Sequence, residues 1–389
     1  MGQQAEVVIA GGGIGGLATA NAFRARGITV TVLERADEFN EIGAAIGVQT
    51  NAVRALREMG LADDLIGVGV PIENYEYVTW GGRRLAGWAQ GEIARSIGEP
   101  TVVVHRADLQ RVLLSGLDQQ RTVRLDTQCV GYEQGDDTVT VHLGDGGRIT
   151  TPLLIGADGL GSVVRKRLIG DQPARYSGWV AYRGVVEFAD AGFPIGLARQ
   201  TLGRGKTFGM WHLPGGRVYW VATIREPDGA NMAAAERKRH VSDAFAGSHS
   251  PINDIVQLTD ENSILRNEVF DRVPVVGWSC KRVALLGDAA HPTTPVTGQG
   301  GGQAIIDAAV LAAEIGSAET LADDQALAAA LDRYEARRRP VTTSITEEAW
   351  RIAKMHHFRG AVGAFGRDAS LRLTPARVWN RRMYQRLAF

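Results

Sequence analysis

The sequence predicts an α/β fold: a Rossmann-like dinucleotide-binding domain, an inserted antiparallel-sheet domain and C-terminal helices. Three observations carry this expectation. Strand-like Glu6 to Ala10 runs into the turn Gly11-Gly12-Gly13-Ile14-Gly15-Gly16 and then a helical stretch, the order of a nucleotide-binding βαβ unit. A second glycine-rich tract, GDAAHPTTPVTGQGGGQAIIDA (287–308), follows the apolar run Val283-Ala284-Leu285-Leu286 near the other end of the chain. From about Tyr176, aromatic, β-branched and polar residues alternate, as they do in a half-buried antiparallel sheet.

The composition bounds the function. At 389 residues there is room for two domains, or one large domain with an inserted layer. Charge is balanced at 43 basic against 43 acidic residues, which argues against a nucleic-acid or membrane-surface partner. Cys129 and Cys280 sit beside apolar runs and read as buried thiols of a cytoplasmic protein. No apolar run approaches the ~20 residues of a membrane span, and the glycine turn breaks the apolar start too early for a signal peptide. The histidines lack ligand spacing, so no metal site is expected.

Taken in order, the first strand, glycine turn and helix to about Arg26 lead to a second strand, Ile28 to Leu33, ending at Glu34. Gly11, Gly13 and Gly16 fit G-x-G-x-x-G, and Glu34 lies close to the ~20-residue spacing at which a carboxylate reaches the ribose. A loop with Gly43 and Gly47 precedes a helix that Asn51 would cap. The 71–99 stretch reads as strands and loops. Val102 to Val104 leads to a helix headed by Arg106, for which a surface ion pair is the ordinary alternative to a ligand contact. A β-meander from Thr122 ends at Leu153-Leu154-Ile155 and the turn GADGLGS, with Asp158 at the strand end. Strands over 178–188, 196–213 and 217–224, a helix over 232–246 and a strand over 264–272 make up the second domain. Helices follow at 303–315 and 325–339, the latter interrupted by Pro340, and the basic tail reads as helix packed on the body.

AGGGIGG with Glu34, GADGLGS with Arg165, and GDAAHPTTPVTGQGGGQAIIDA together resemble the three FAD-contacting motifs of single-component flavin-dependent aromatic hydroxylases of the para-hydroxybenzoate hydroxylase fold. HPTTPVTGQGG is similar to bacterial urate hydroxylase and zeaxanthin epoxidase, and YSGWVAYRGVVE to salicylate and hydroxybenzoate hydroxylases. The resemblance implies bound FAD, with NADH or NADPH and O2 as co-substrates, and hydroxylation of an aromatic or polycyclic small molecule through a flavin hydroperoxide. It implies Gly13 and Gly15 at the pyrophosphate, Glu34 and Arg35 at the adenosine ribose, and Val130 at the adenine. Gly47 would lie beside the flavin, and Arg106 and Asp288 near the ribityl chain and phosphates. Asp158 would support the FAD loop, Gly298, Gly300, Gly301 and Gly302 would face the flavin edge where negative charge develops, and Pro295 would lie over its face. It further implies an FAD-binding domain over 1–75, 100–175 and 273–345, a substrate domain over 76–99 and 176–272, and a helical segment over 346–389, as a monomer or homodimer.

The substrate residues depart from the family pattern. Aligned on Gly216-Arg217, Thr207 stands where the relatives carry histidine or arginine, and Trp211 where they carry a catalytic tyrosine. Tyr219 matches a pocket tyrosine, and His212 is either a shifted base or a residue packed in the sheet. Arg183 is either a pocket cation or the partner of a loop acid. Without an obvious base, the substrate would be a ready acid such as an enol or fused polyphenol, or an alkene for epoxidation. A geranylgeranyl-type reductase and an FAD-binding protein without turnover are the other readings.

Overall fold

The computed structural model describes residues 7–39, 44–229 and 232–388. Glu6 and Gly43, read above as a strand start and a loop glycine, lie outside these.

Two large sheets face each other across the ligand loops. The first has six strands in the order Ser279–Cys280, Val283–Leu285, Leu153–Gly156, Val7–Ala10, Val30–Leu33 and Val123–Arg124. Every neighbouring pair but the first is parallel. Its two central strands, Val7–Ala10 and Leu153–Gly156, are uninterrupted apolar runs because both faces are covered, one of them by helices Ile14–Arg24 and Gly300–Ile315. A three-stranded meander, Cys129–Gln134, Val139–Leu143 and Arg148–Thr151, precedes Leu153–Gly156.

The second sheet has seven strands, in the order Leu265–Asp271, Arg175–Glu187, Arg217–Ile224, Lys206–Leu213, Leu197–Leu202, Asn74–Thr79 and Arg84–Trp88. It is not wholly antiparallel: Leu197–Leu202 pairs parallel with Asn74–Thr79, which arrives from the other half of the chain. Phe208 and Trp220 pack with Val241 and Phe245 of helix Ala234–Phe245 in a core behind one face. Strand alternation turns Thr207 and Trp211 the other way, toward the ligand loops.

Several local expectations are corrected. Ala45–Val48 is a strand paired with Val102–His105, and the next helix starts at Thr50 with Gln49 as its N-cap, so Asn51 lies inside it. Gln90–Ile97 and Ile252–Leu258 are helices. Pro340 does not end its helix, which runs from Asp324 to His356. Buried Tyr334 before the proline and Ile345, Ala349 and Ala353 after it anchor both halves to the body, which overrides the lost N–H donor. Cys280 is exposed on the short outer strand, whereas burial pushes the Cys129 thiol up to about 11.

Candidate active site

The N-terminal turn contains two kinds of glycine. Gly11 has φ +103°, and a Cβ on Gly16 would come 1.9 Å from the Gly11 carbonyl oxygen, so the turn itself requires both. Gly13 has φ −73°, and a Cβ built on it meets nothing within 4 Å among the described residues; Gly47 is equally open. Among the described residues nothing demands glycine at 13 or 47; the free space suits a ligand that touches the backbone. Glu34 braces the turn, Oε2 accepting from the Gly12 N–H at 2.7 Å and Oε1 from the Ala36 N–H at 3.0 Å. Exposed Arg35 follows it.

The second motif is built around a helix start. Asp158 Oδ2 accepts from the N–H groups of Val163 at 2.8 Å and Val164 at 3.3 Å, while its buried Oδ1 has no partner among the described residues. Desolvation raises its pKa, opposed by the hydroxyl of Ser162 and these N–H groups. Arg165, 2% exposed, donates from Nη1 to the carbonyls of Ala289 and Ala290, both at 2.9 Å, and so ties this motif to the third.

The third motif is held from below by a network that the sequence did not reveal. Asp307 Oδ2 accepts from the Gly287 N–H at 2.9 Å and from His291 Nε2 at 2.5 Å, and Oδ1 from Arg338 Nε at 2.6 Å. Arg338 also donates to Gln303 Oε1 at 2.5 Å. Burial alone would raise the Asp307 carboxyl, but the charges and hydrogen bonds of His291 and Arg338 outweigh it and hold the group well below the usual carboxylate range. Above this network Gly298 takes φ +63° and helix Gly300–Ile315 begins with its N–H groups toward the cavity. Gly302 does not line the cavity; its Cβ would sit 3.3 Å from Ala52 Cβ, so it serves helix packing.

These loops and the second sheet enclose a cavity of about 540 Å3. Gly13, Gly15, Gly47, Arg106, Asp288, Gly298, Gly300 and Gly301 line its loop side, and Pro295 lies among them. Asp288 faces the cavity; desolvation raises its pKa, partly offset by His291 and Arg106. Arg183, Thr207, Trp211 and Tyr219 line the sheet side. Glu34, Arg35, Val130 and Asp158 are outside this lining, with Val130 47% exposed on its meander strand.

His212 is not brought to the cavity. It points to the opposite face of its strand from Trp211, stacks on Phe193 with ring centroids 4.4 Å apart, and bonds through Nε2 to the Phe193 carbonyl at 2.8 Å. A one-residue offset in a strand reverses the face, which removes His212 as a base. Arg183 reaches Asn267 Oδ1 at 3.0 Å rather than a loop acid. Burial pushes the Tyr219 phenol up to about 12, offset by Arg183, so it remains a neutral hydroxyl.

Thr207 heads a hydrogen-bond chain whose direction is fixed by chemistry. His357 Nδ1 lies 2.8 Å from the Ala353 carbonyl, which only accepts, so Nδ1 carries the proton and Nε2 is the acceptor. Thr223 Oγ1, 2.8 Å from Nε2, must therefore donate to it, and Thr207 Oγ1, 2.7 Å away, donates to Thr223. This leaves the Thr207 oxygen with lone pairs and no proton for the cavity. Burial lowers the His357 pKa to about 4, so the chain ends on a neutral imidazole. Adjacent His356–His357 held no ligand spacing, and nothing in the sequence paired residues as distant as 207, 223 and 357.

The donor set fits FAD. Besides the open glycines, the loop side holds buried polar atoms with no partner among the described residues: Gln49 Oε1 and the hydroxyls of Thr293 and Thr297. A flavin has the ring nitrogens, carbonyls and ribityl hydroxyls to meet such groups, and the helix N-terminus suits its electron-rich edge.

The chain matches the FAD binding domain family over residues 4–349. It is 34% identical over 367 residues to aurachin C monooxygenase/isomerase of Stigmatella aurantiaca, covering 94% of each chain. It is 33% identical over 337 residues to FAD-dependent urate hydroxylase of Klebsiella pneumoniae, covering 86% of this chain and 85% of that one. The crystal structure of Klebsiella pneumoniae HpxO complexed with FAD and uric acid superposes with a TM-score of 0.90 at 29% identity, over 98% of this chain and 96% of that one. Among the described residues no helix is long and apolar enough to cross a membrane. With loops, cavity and relatives in agreement, the chain belongs to the FAD binding domain family and is an FAD-dependent monooxygenase.

Proposed function

We propose that this enzyme hydroxylates an aromatic ring bearing an O–H or N–H group, held between the glycine loop and the second sheet, at the expense of NADH or NADPH. The observation that carries this is the single cavity with the loop of Pro295, Gly298 and Gly300 on one side and Thr207, Trp211 and Tyr219 on the other. The balanced reaction is ring C–H plus O2, NAD(P)H and a proton giving ring C–OH, water and NAD(P)+. Bound FAD supplies the electron transfer and oxygen activation.

The residues of the chain hold and position. Gly13 and Gly15 would receive the pyrophosphate, Glu34 and Arg35 the adenosine ribose, and Val130 the adenine. Asp288 and Arg106 would bind the ribityl chain and phosphates, and Gly47, Gly298, Gly300 and Gly301 would meet the flavin. Asp158, with one carboxylate oxygen unpartnered, would brace the loop against the cofactor. Trp211, Tyr219 and Val221 would exclude water from the reacting face.

Thr207 answers the missing base. Its oxygen can only accept, so it favours a substrate that donates, while neutral His357 at the end of the chain is too weak a base to keep the proton. The ring must therefore be electron-rich in its own right, as phenols, enols and fused polyphenols are. Thr207→Val keeps the shape and removes the acceptor. It is expected to lower kcat/KM for a donor-bearing substrate by about 5- to 100-fold, the effect of burying an unpaired donor. The matching O-methyl or N-methyl compound should be indifferent to the change. Equal kcat/KM in both proteins would remove Thr207 from the substrate's contacts.

A further inference from the structure

We infer that the cavity has a second aromatic subsite, which takes the outer ring of an elongated, uncharged biaryl or fused polycyclic substrate with a hydrogen-bonding oxygen or nitrogen at its far end. This rests on the reading that the sheet face beside Thr207 receives the substrate.

The cavity floor continues beyond Thr207. In register, Gly209 pairs with Gln200, Gln200 with Tyr77 and Tyr77 with Ala86, and Tyr75 pairs with Trp88. Tyr75, Tyr77 and Trp88 all line the same cavity as Thr207. Strand spacing of ~4.8 Å puts the Trp88 strand about 14 Å from the Thr207 strand, further than one ring reaches. Gly209 keeps the middle of this floor low, because a Cβ there would come 2.3 Å from the Trp211 ring and 2.7 Å from Gln200 Oε1.

The far lobe is built of rings. Tyr75 and Trp88 stack with centroids 4.4 Å apart at 8°, and Tyr77 stands edge-on to Tyr75 at 5.6 Å. Met383 and Leu387 of the last helix, Ala376–Leu387, and His356 complete it. Such walls suit a planar apolar ring.

Polar groups in this lobe lack partners. His356 is 4% exposed and lines the cavity, yet no hydrogen bond reaches its imidazole among the described residues. The hydroxyls of half-buried Tyr75 and Tyr77 also make no hydrogen bond among the described residues, and buried Trp379 Nε1, behind Trp88, has no partner among them. The neighbouring polar groups are satisfied: Trp88 Nε1 donates to Gln90 Oε1 at 2.7 Å, and Gln90 Nε2 to Thr101 Oγ1 at 2.8 Å. Tyr75, Tyr77 and His356 thus face the lobe with hydrogen-bonding capacity left over, which suits a ligand that can meet it. That ligand is uncharged. His356 is neutral, its pKa lowered to about 3 by burial, and the nearby cation, Arg386, is paired with Glu348.

The test uses the FAD-loaded enzyme with phenol, 4-phenylphenol and 4,4′-dihydroxybiphenyl, following binding by calorimetry and by the flavin absorbance band. Expected is binding of 4-phenylphenol about 30-fold tighter than phenol, the effect of burying one apolar ring. The second hydroxyl should add about 5-fold. Tyr77→Phe or His356→Gln should remove only the second gain. Met383→Trp, or Leu387→Trp on the same helix, should fill the lobe and remove both. Equal affinities for phenol and 4-phenylphenol, or gains that survive the filling variants, would overturn the inference. Gains seen by calorimetry with an unmoved flavin band would uphold the subsite and contradict the proposed reacting face.

Discussion

Asp307→Ala is expected to destabilise the protein by about 3–5 kcal/mol, because removing one partner of a buried ion pair strands the other. Arg338 is 6% exposed, and Asp307 is its only carboxylate partner among the described residues. The same change releases the Gly287 N–H and His291, so the loop that carries Asp288 loses its support. Chemical denaturation measures the first effect and FAD retention after gel filtration the second. A variant as stable as wild type would mean that the network holds nothing. Pairing Asp307→Ala with Arg338→Met should recover part of the loss, since the stranded charge is gone.

The pH dependence has a definite sign. The folded Asp307 carboxyl is held below its unfolded value of about 4, so its contribution is complete above that value. It is lost as pH falls from there through the folded value. The stability gap between wild type and Asp307→Ala should therefore be constant at neutral pH and shrink below pH ~4. A gap that widened on acidification would contradict the assignment.

Gly13→Val is expected to fold normally and yet bind FAD about 100-fold more weakly or worse, the loss of two hydrogen bonds to charged phosphate oxygen. The expectation follows from what Gly13 touches. Its φ of −73° is ordinary for any residue, and a Cβ there meets nothing within 4 Å among the described residues. Gly16→Ala is the contrasting control, since its Cβ would meet the Gly11 carbonyl oxygen at 1.9 Å and break the turn itself. The readouts are the melting temperature of the FAD-free proteins and the Kd for FAD by fluorescence quenching. Full FAD affinity in Gly13→Val would remove the pyrophosphate from this turn.

How far the sequence could be read depended on the range of the interaction. The strand, turn and helix at Val7 to Arg24 and the glycine tract before Gly300–Ile315 were legible, because local sterics fix them. Facing was partly legible: alternation in Lys206–Leu213 sends Thr207 and Trp211 one way and His212 the other, and neighbouring positions cannot share a pocket. The Asp307–Arg338 pair and the Thr207–Thr223–His357 chain were not legible. Their partners come from separate elements, and no spacing rule links a sheet residue to the end of a helix far along the chain. Pro340 misled for a related reason, since tertiary packing on both sides carries the helix through a residue that locally disfavours it. The far lobe was hidden because Gln90–Ile97 read as loop and Tyr75 and Tyr77 belong to a strand inserted parallel to Leu197–Leu202.

Product mass under 18O2 tests most directly whether this enzyme inserts oxygen into an aromatic ring. The FAD-loaded enzyme is given NADH or NADPH and a panel of electron-rich phenols, enols and fused polyphenols. At least one compound is expected to speed NAD(P)H oxidation and gain a single 18O atom, with one equivalent of NAD(P)H used per labelled product. NAD(P)H oxidation that yields only hydrogen peroxide, with no label entering any compound of the panel, would contradict oxygen insertion.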